Sequence, residues 1–193
     1  MKIVFATNNK NKVKEVQALL PNSIELLSLK DINCLEDIPE TQDTIIGNAL
    51  QKANYVFDNY GYTCFADHTG LEVTALNGAP GVYSARYAGP EKNAENNMLK
   101  LLQELNDQKD RSAHFKTVIA LVGFQKKTQT FEGLCKGDIT HEKQGDQGFG
   151  YDPIFKPSGY AKTFAQMPLQ IKNEIGHRGK AVNQLISYLH TIN

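Results

Sequence analysis

Short apolar runs of β type alternate along this chain with longer stretches of helical periodicity. That alternation confines it to an α/β fold, a sheet with helical cover. Residues 2–7 form a first strand. The polar turn Asn8-Asn9-Lys10-Asn11-Lys12 follows, and Val13, Val16, Leu19 and Leu20 then recur at helical spacing until Pro21 stops them. Residues 24–29 predict a second strand. From residue 43 to about 60, Ile46, Ala49, Leu50, Ala53, Val56 and Phe57 share one helical face, and Gly61 marks its end. Residues 62–66 and 71–76 read as two short strands on either side of the polar segment Asp67-His68-Thr69-Gly70. A helix over 91–106 comes next, then two β-runs over 113–124 and 129–138 joined by Gln125-Lys126-Lys127-Thr128. A final amphipathic helix carries Ala181, Val182, Leu185, Ile186 and Leu189. With 193 residues, no linker and no repeat, the expectation is one domain over 1–193, made of two interlocked lobes about an elongated central sheet.

Charge narrows the partners. Lys+Arg and Asp+Glu both number 21. So balanced a chain lacks the electropositive footprint of a general nucleic-acid or membrane-surface binder, although a local group of cations can still hold a small anion. Cys34, Cys64 and Cys135 are odd in number, far apart and without a CxxC pair. That excludes a zinc ribbon or a thioredoxin-like motif and predicts buried thiols in a reduced, cytoplasmic protein. No apolar run approaches the roughly 20 residues that span a bilayer, and the first strand is too short for a signal peptide.

Four polar segments carry candidate chemistry. Thr7-Asn8-Asn9-Lys10-Asn11-Lys12 joins a strand end to a helix start, where free backbone N–H groups and the helix dipole suit phosphate; an Asn at this place is equally an ordinary N-cap. Asp67 and His68, at the end of a buried strand, stand where open α/β sheets bind ligands. In Gly148-Phe149-Gly150-Tyr151-Asp152, two glycines let a flat ligand approach, Phe149 offers a face for stacking and Asp152 a hydrogen-bond acceptor. Lys172, His177 and Arg178 put cations beside the start of the last helix, a conflict with its dipole that an anion would resolve. Arg86 adds a loop cation. A nucleoside triphosphate is the simplest ligand that uses all of them.

Taken in order, several segments resemble the inosine triphosphate pyrophosphatases, the dITP/XTP diphosphatase family. They are Thr7–Lys12, Asn48-Ala49-Leu50-Gln51-Lys52-Ala53, Ala66-Asp67-His68-Thr69-Gly70-Leu71, Gly78–Arg86, Gly148–Phe155 and His177-Arg178-Gly179. The resemblance spans nearly the whole chain. It implies a long mixed sheet with two α/β lobes flanking a nucleotide cleft, a homodimer, Mg²⁺ as cofactor, and hydrolysis of ITP, dITP and XTP to the monophosphate and pyrophosphate. Carried over by position, Thr7, Asn8, Asn9, Lys10, Asn11 and Lys12 grip the phosphates, and Lys52 and Lys172 contact phosphate or base. Thr69 and Arg86 touch the substrate. Phe149 stacks on the purine beside Gly150 and Tyr151 while Asp152 holds it, and His177 and Arg178 bind near the 6-keto edge.

Three acidic positions of the family are neutral here. A glutamate that precedes Asn-Ala in the helix is replaced at Ile46/Gly47. The second aspartate of Ala-Asp-Asp, implied as metal ligand and base for the attacking water, is His68. A glutamate before the last helices is Gln166. The helical pattern itself reads Ile46 as an extension of the apolar face. His68 can serve as a general base but brings no fixed negative charge, and Mg²⁺ prefers hard oxygen ligands to imidazole. Two expectations follow: a nucleoside-triphosphate diphosphatase with impaired activity, or a catalytically inactive nucleotide binder of the same fold. As metal ligands the segment offers His68 and Asp67, with Glu40 as a third for a different metal, without any standard ligand spacing.

Overall fold

The computed structural model describes residues 1–125 and 127–191. Lys126, in the expected turn between the two long β-runs, lies outside the described residues. The strands are β1 (Lys2–Phe5), β2 (Glu25–Leu27), β3 (Cys64–Val73), β4 (Pro80–Gly81), β5 (Ser112–Val122), β6 (Gln129–Ile139) and β7 (Phe155–Pro157). The helices are α1 (Lys10–Gln17), α2 (Ile45–Tyr60), α3 (Ala94–Glu104), α4 (Leu169–Ile175) and α5 (His177–His190). The strands form one mixed sheet in the order β2-β1-β3-β5-β6-β7, with β4 beside β3. β1 runs parallel to both neighbours, Val4 facing Leu27 on one side and Cys64 on the other. β4 is antiparallel to β3, and β7 to β6. The expected mixed α/β fold is therefore present.

The polar segment expected to separate two strands does not do so. β3 runs unbroken through Asp67, His68, Thr69 and Gly70. Polar residues end a buried strand only when nothing satisfies them; here Asp67 and His68 find partners and the ladder continues. α4 escapes a periodic reading because its seven residues make barely two turns.

Chain segments group into two compact units: 1–68, 117–133 and 178–193 form the first, 69–116 and 134–177 the second. Each has its own core. Ile3, Phe5, Phe65, Ile119, Leu121, Val182 and Leu185 are buried together in the first, where the rings of Phe5 and Phe65 stack at 4.6 Å. Leu71, Leu101, Phe115, Ile154, Phe155 and Phe164 fill the second, with Phe155 edge-on to Phe115 at 4.7 Å.

α2 starts where Thr44 Oγ1 accepts from the Gly47 N–H at 3.0 Å and stops where the Gly61 N–H donates to the Phe57 carbonyl. Its buried face is Ile45, Asn48, Ala49, Lys52, Ala53 and Val56. Ile46 is 44% exposed and Phe57 40%, so neither extends that face. At 100° per residue the buried positions 45, 48, 49, 52, 53 and 56 centre the face near Ile45, about 90° from Ile46.

Candidate active site

In the first unit the turn after β1 leads into α1, and Asn9 caps it. Asn9 Oδ1 accepts from the N–H groups of Asn11 and Lys12 at 3.0 and 3.2 Å. Thr7 Oγ1 accepts from the Asn9 N–H at 3.2 Å. The capping reading of this turn is the one realised, and two first-turn donors expected for phosphate are occupied. Asn8, Asn9, Lys10 and Asn11 are exposed, while Thr7 and Lys12 are half-buried.

Lys12 reaches inward to Asp67, Nζ to Oδ1 at 2.8 Å, while Arg178 Nε meets Asp67 Oδ2 at 3.1 Å. Arg178 Nη1 also contacts Glu15 Oε2 at 2.5 Å. The anions that reconcile Arg178 with the α5 N-terminus are thus the protein's own carboxylates, not a ligand. The Arg178 guanidinium is paired with both Asp67 and Glu15. Burial pushes the Asp67 carboxyl up, but the charges of Lys12, Arg178 and Lys52 outweigh it and hold the group well below the usual carboxylate range. For Lys12, burial dominates. With the repulsion of Lys52 and Arg178 it outweighs the attraction of Asp67 and lowers the ammonium from 10.5 to about 8.

Beside this cluster stands His68, 6% exposed. Its Nδ1 lies 3.3 Å from Glu40 Oε1. The same oxygen accepts from Lys52 Nζ at 2.6 Å, and Lys52 also donates to the Asp67 carbonyl at 2.6 Å. Burial opposes ionisation of Glu40, but the hydrogen bond from His68 and the charge of Lys52 hold its carboxyl far below the ordinary value. Glu40 is the participant that sequence reading underrated. It lies in an irregular acidic stretch far from His68 in sequence, and nothing local signals the contact.

In the second unit Asp152 Oδ2 accepts from the Phe149 N–H at 2.7 Å and meets Lys172 Nζ at 2.5 Å. Lys172 Nζ sits 4.8 Å from the centroid of the Phe149 ring. Gly148 has φ +74°, and a Cβ there would fall 2.1 Å from Asp152 Oδ2, so only glycine lets this loop close on the carboxylate. His177 is buried with its ring stacked on Phe115 at 4.4 Å. Tyr151 is a core residue whose hydroxyl donates to the Ser84 carbonyl at 2.8 Å. Arg86 lies over the Tyr83 ring at 5.2 Å, Thr69 is half-buried in β3 and Gly150 adopts φ +62°. Phe149, Asp152 and Lys172 are brought together, and the Phe164 ring lies against both Lys172 and His177.

The residues present do not suit Mg²⁺, which takes hard oxygens in near-octahedral geometry. Among the described residues no group of three His, Cys, Asp or Glu is arranged to hold a metal ion. Asp67, expected as a ligand, faces two cations instead, and His68 presents imidazole nitrogen to a carboxylate that Lys52 already neutralises. Gln166 Oε1 accepts from the Thr163 N–H at 2.9 Å and closes a capping box, a local role that a glutamate would fill equally.

Comparison with known proteins agrees with this architecture. A dITP/XTP pyrophosphatase of Flavobacterium johnsoniae is 65% identical over 189 residues, covering 98% of each chain. One from Porphyromonas gingivalis is 51% identical over 97% of each. Among solved structures, the Ham1 protein of Staphylococcus aureus superposes with a TM-score of 0.91 at 39% identity over the full length of both chains. A HAM1 protein of Coxiella burnetii gives 0.90 at 38% over 99% of each. The profile of the Ham1 family matches residues 3–188, and the chain belongs to the Ham1 family.

Proposed function

We propose that this protein hydrolyses non-standard purine nucleoside triphosphates, dITP, XTP and ITP, to the monophosphate and pyrophosphate. The observation that carries the reading is the cation-rich cluster of Lys12, Lys52 and Arg178 around a buried Asp67, one strand position from His68. These residues lie within the segments that resemble the inosine triphosphate pyrophosphatases.

In this reading Lys12, with Lys10 and the Thr7–Asn11 turn, takes the phosphates, and Lys52 neutralises charge beside them. Phosphoryl-type transfer depends chiefly on positioning and charge stabilisation, so fixed cations are the main contribution a protein can make. His68 takes a proton from the attacking water as its oxygen adds to phosphorus; the phosphoanhydride bond breaks and pyrophosphate leaves. Phe149 supplies a face for the purine, and the Asp152–Lys172 pair supplies the acceptor and donor that read its polar edge, with Thr69, Gly150 and His177 as further contacts. Mg²⁺ is the cofactor that the family resemblance implies, but no step is routed through it because the donor set does not suit it.

The protein is further read as a cytoplasmic homodimer. Its three cysteines are buried and none is in a disulfide, and among the described residues no helix is long and apolar enough to cross a membrane.

The test is pyrophosphate release from dITP, XTP and ITP against dATP and dGTP, with and without Mg²⁺. Preferential release from the 6-oxo, 2-unsubstituted or 2-oxo bases is expected. Tight binding of dITP by calorimetry with no release would overturn hydrolysis and leave a nucleotide-binding protein.

A further inference from the structure

Gly148 and Gly150, with φ of +74° and +62°, flank Phe149. Glycine has the widest conformational freedom of any residue, so by its own sequence this loop would carry Phe149 and Asp152 through many arrangements. Tyr151 lies between those two residues and is 5% exposed, in the core of the second unit with Leu71, Leu101 and Ile154. A phenylalanine would fill the same space with no polar atom to satisfy. A buried hydroxyl gives up its water, and one partner little more than offsets that loss. What the hydroxyl adds is direction. It donates to the carbonyl of Ser84, 67 residues away, at 2.8 Å. The turn around Ser84 is braced on two sides. Ser84 Oγ accepts from the Leu71 N–H of β3 at 2.8 Å and donates to the Gly81 carbonyl at 2.6 Å. From α3, the buried Asn97 spans the turn: its Nδ2 donates to the Ala85 carbonyl at 3.0 Å and its Oδ1 accepts from the Ala88 N–H at 2.7 Å. Lys100 Nζ donates to the Tyr87 carbonyl at 2.8 Å. The Ser84 carbonyl is thus an acceptor fixed by a strand and a helix.

We propose that Tyr151 is a positioning residue for purine binding: from behind the loop, its hydroxyl ties Phe149 and Asp152 to the braced turn at Ser84, and it does not itself touch the base. This rests on the reading of Phe149 and Asp152 as the purine site. Two kinds of bond divide the work. The Phe149 N–H donates to Asp152 Oδ2 at 2.7 Å and the Asp152 N–H to the Phe149 carbonyl at 3.2 Å, which closes the loop on itself. The Tyr151 hydroxyl then fixes the closed loop to the rest of the unit. A loop ordered before its ligand arrives loses less freedom on binding, and apparent affinity falls in proportion to the fraction of molecules in the competent arrangement. The effect of Tyr151 is therefore confined to ligands that carry a base, and the phosphates, held in the first unit, do not sense it.

Tyr151→Phe in the full chain tests the proposal, with Tyr87→Phe as control, since the Tyr87 hydroxyl leaves the same turn toward Glu104 instead. Two ligands separate base from phosphate: deoxyinosine monophosphate carries the purine, and inorganic tripolyphosphate carries phosphates alone. By calorimetry, Kd for the monophosphate is expected to rise about 3–10-fold in Tyr151→Phe, the weight of one buried hydrogen bond. Kd for tripolyphosphate is expected to stay put, and Tyr87→Phe to leave both unchanged. Amide hydrogen exchange at Phe149 is expected to quicken in Tyr151→Phe. KM for dITP is expected to rise in step with Kd while kcat stays within about twofold, as for an interaction made equally in ground and transition states. An unchanged Kd for the monophosphate, equal weakening of both ligands, or an equal effect of Tyr87→Phe overturns the proposal. Should Tyr151→Phe fail to fold, Ser84→Ala decides it: this variant unties the turn from Leu71 and Gly81 and is expected to weaken the monophosphate and not tripolyphosphate, and the absence of that split overturns the proposal. Failure of the wild type to bind the monophosphate at millimolar concentration overturns the purine site and the proposal together. The absence of pyrophosphate release from dITP overturns the hydrolase reading alone, since the monophosphate is bound without turnover.

Discussion

Asp67 is 1% exposed, and it is ionised because Lys12 and Arg178 each hold one of its oxygens. Removing one partner from such a group leaves buried charge uncompensated, so Asp67→Asn is expected to lower unfolding stability by about 3–5 kcal/mol, read by urea denaturation. The depressed carboxyl also sets a sign with pH. Its contribution is fully present above the unfolded value of 3.8 and is lost as pH falls below that toward the lower folded value. Lys12 behaves oppositely. Burial leaves its ammonium titrating at about 8, so above that pH the ligand-free protein loses a phosphate-binding charge. A triphosphate restores the proton, since an adjacent anion raises the pKa of a cation. Calorimetry of dITP binding near pH 8.5 in buffers of differing ionisation enthalpy is expected to show proton uptake that is absent in Lys12→Arg. Equal uptake in both proteins would remove Lys12 from the phosphate site.

At the scale of the element, the N-terminus of α2 separates two positions that sequence alignment of motifs leaves open. Ile46 is exposed, whereas a Cβ on Gly47 would lie 2.8 Å from both Gln42 Cβ and Thr44 Oγ1. A glutamate therefore fits at 46 and not at 47. Ile46→Glu places a negative charge in the first helical turn, a change expected to be neutral or stabilising by about 0.3–1 kcal/mol. Gly47→Glu is expected to lower stability by about 1–3 kcal/mol through crowding and by loss of the Thr44 cap. Thermal unfolding of the two variants distinguishes them. His68→Asp places a second carboxylate beside Glu40, and Mg²⁺ is then expected to raise the thermal midpoint of that variant while leaving the wild type nearly unmoved. In the loop before the short turn at Asp152, Gly148→Ala drives a methyl into the Asp152 carboxylate. It is expected to weaken dITP binding by disrupting the Asp152–Lys172 pair, measured as a raised KM.

Over the whole molecule the formal charge is zero, and the site cations are largely matched internally: Lys12 and Arg178 by Asp67, Lys52 by Glu40, Lys172 by Asp152. Such matching leaves little long-range field to attract a polyanion, whose binding grows with the number of phosphates neutralised. Single-stranded DNA is therefore expected to bind negligibly at physiological salt under conditions where dITP binds, as checked by fluorescence anisotropy; comparable affinities would contradict a site built for one nucleotide. Sedimentation is expected to give twice the chain mass of 21.5 kDa if the dimer implied by the family resemblance forms.

Much of the fold is legible in the sequence because helix and strand periodicity are local properties. The spacing of Val13 and Val16, of Ala49, Ala53 and Val56, and of Leu185 and Leu189 marks helices that are present, and Gly61 and Thr44 act at their ends as their chemistry dictates. The motif order was enough to show the family. Legibility failed where distant groups decide. The segment 67–70 looks like a break because its polarity is visible and its partners are not; Lys12 and Arg178, 55 and 111 residues away from Asp67, make it a continuous strand. Ile46 looks buried until helix register, set by packing of Ile45 and Ala49, turns it outward. By itself the sequence determined the alternation of elements, the stock of cations and the replacement of three acids. Only the tertiary structure decided which charges neutralise one another and that Glu40 stands against His68, because electrostatic pairing depends on distance in space, and sequence separation carries almost none of that information.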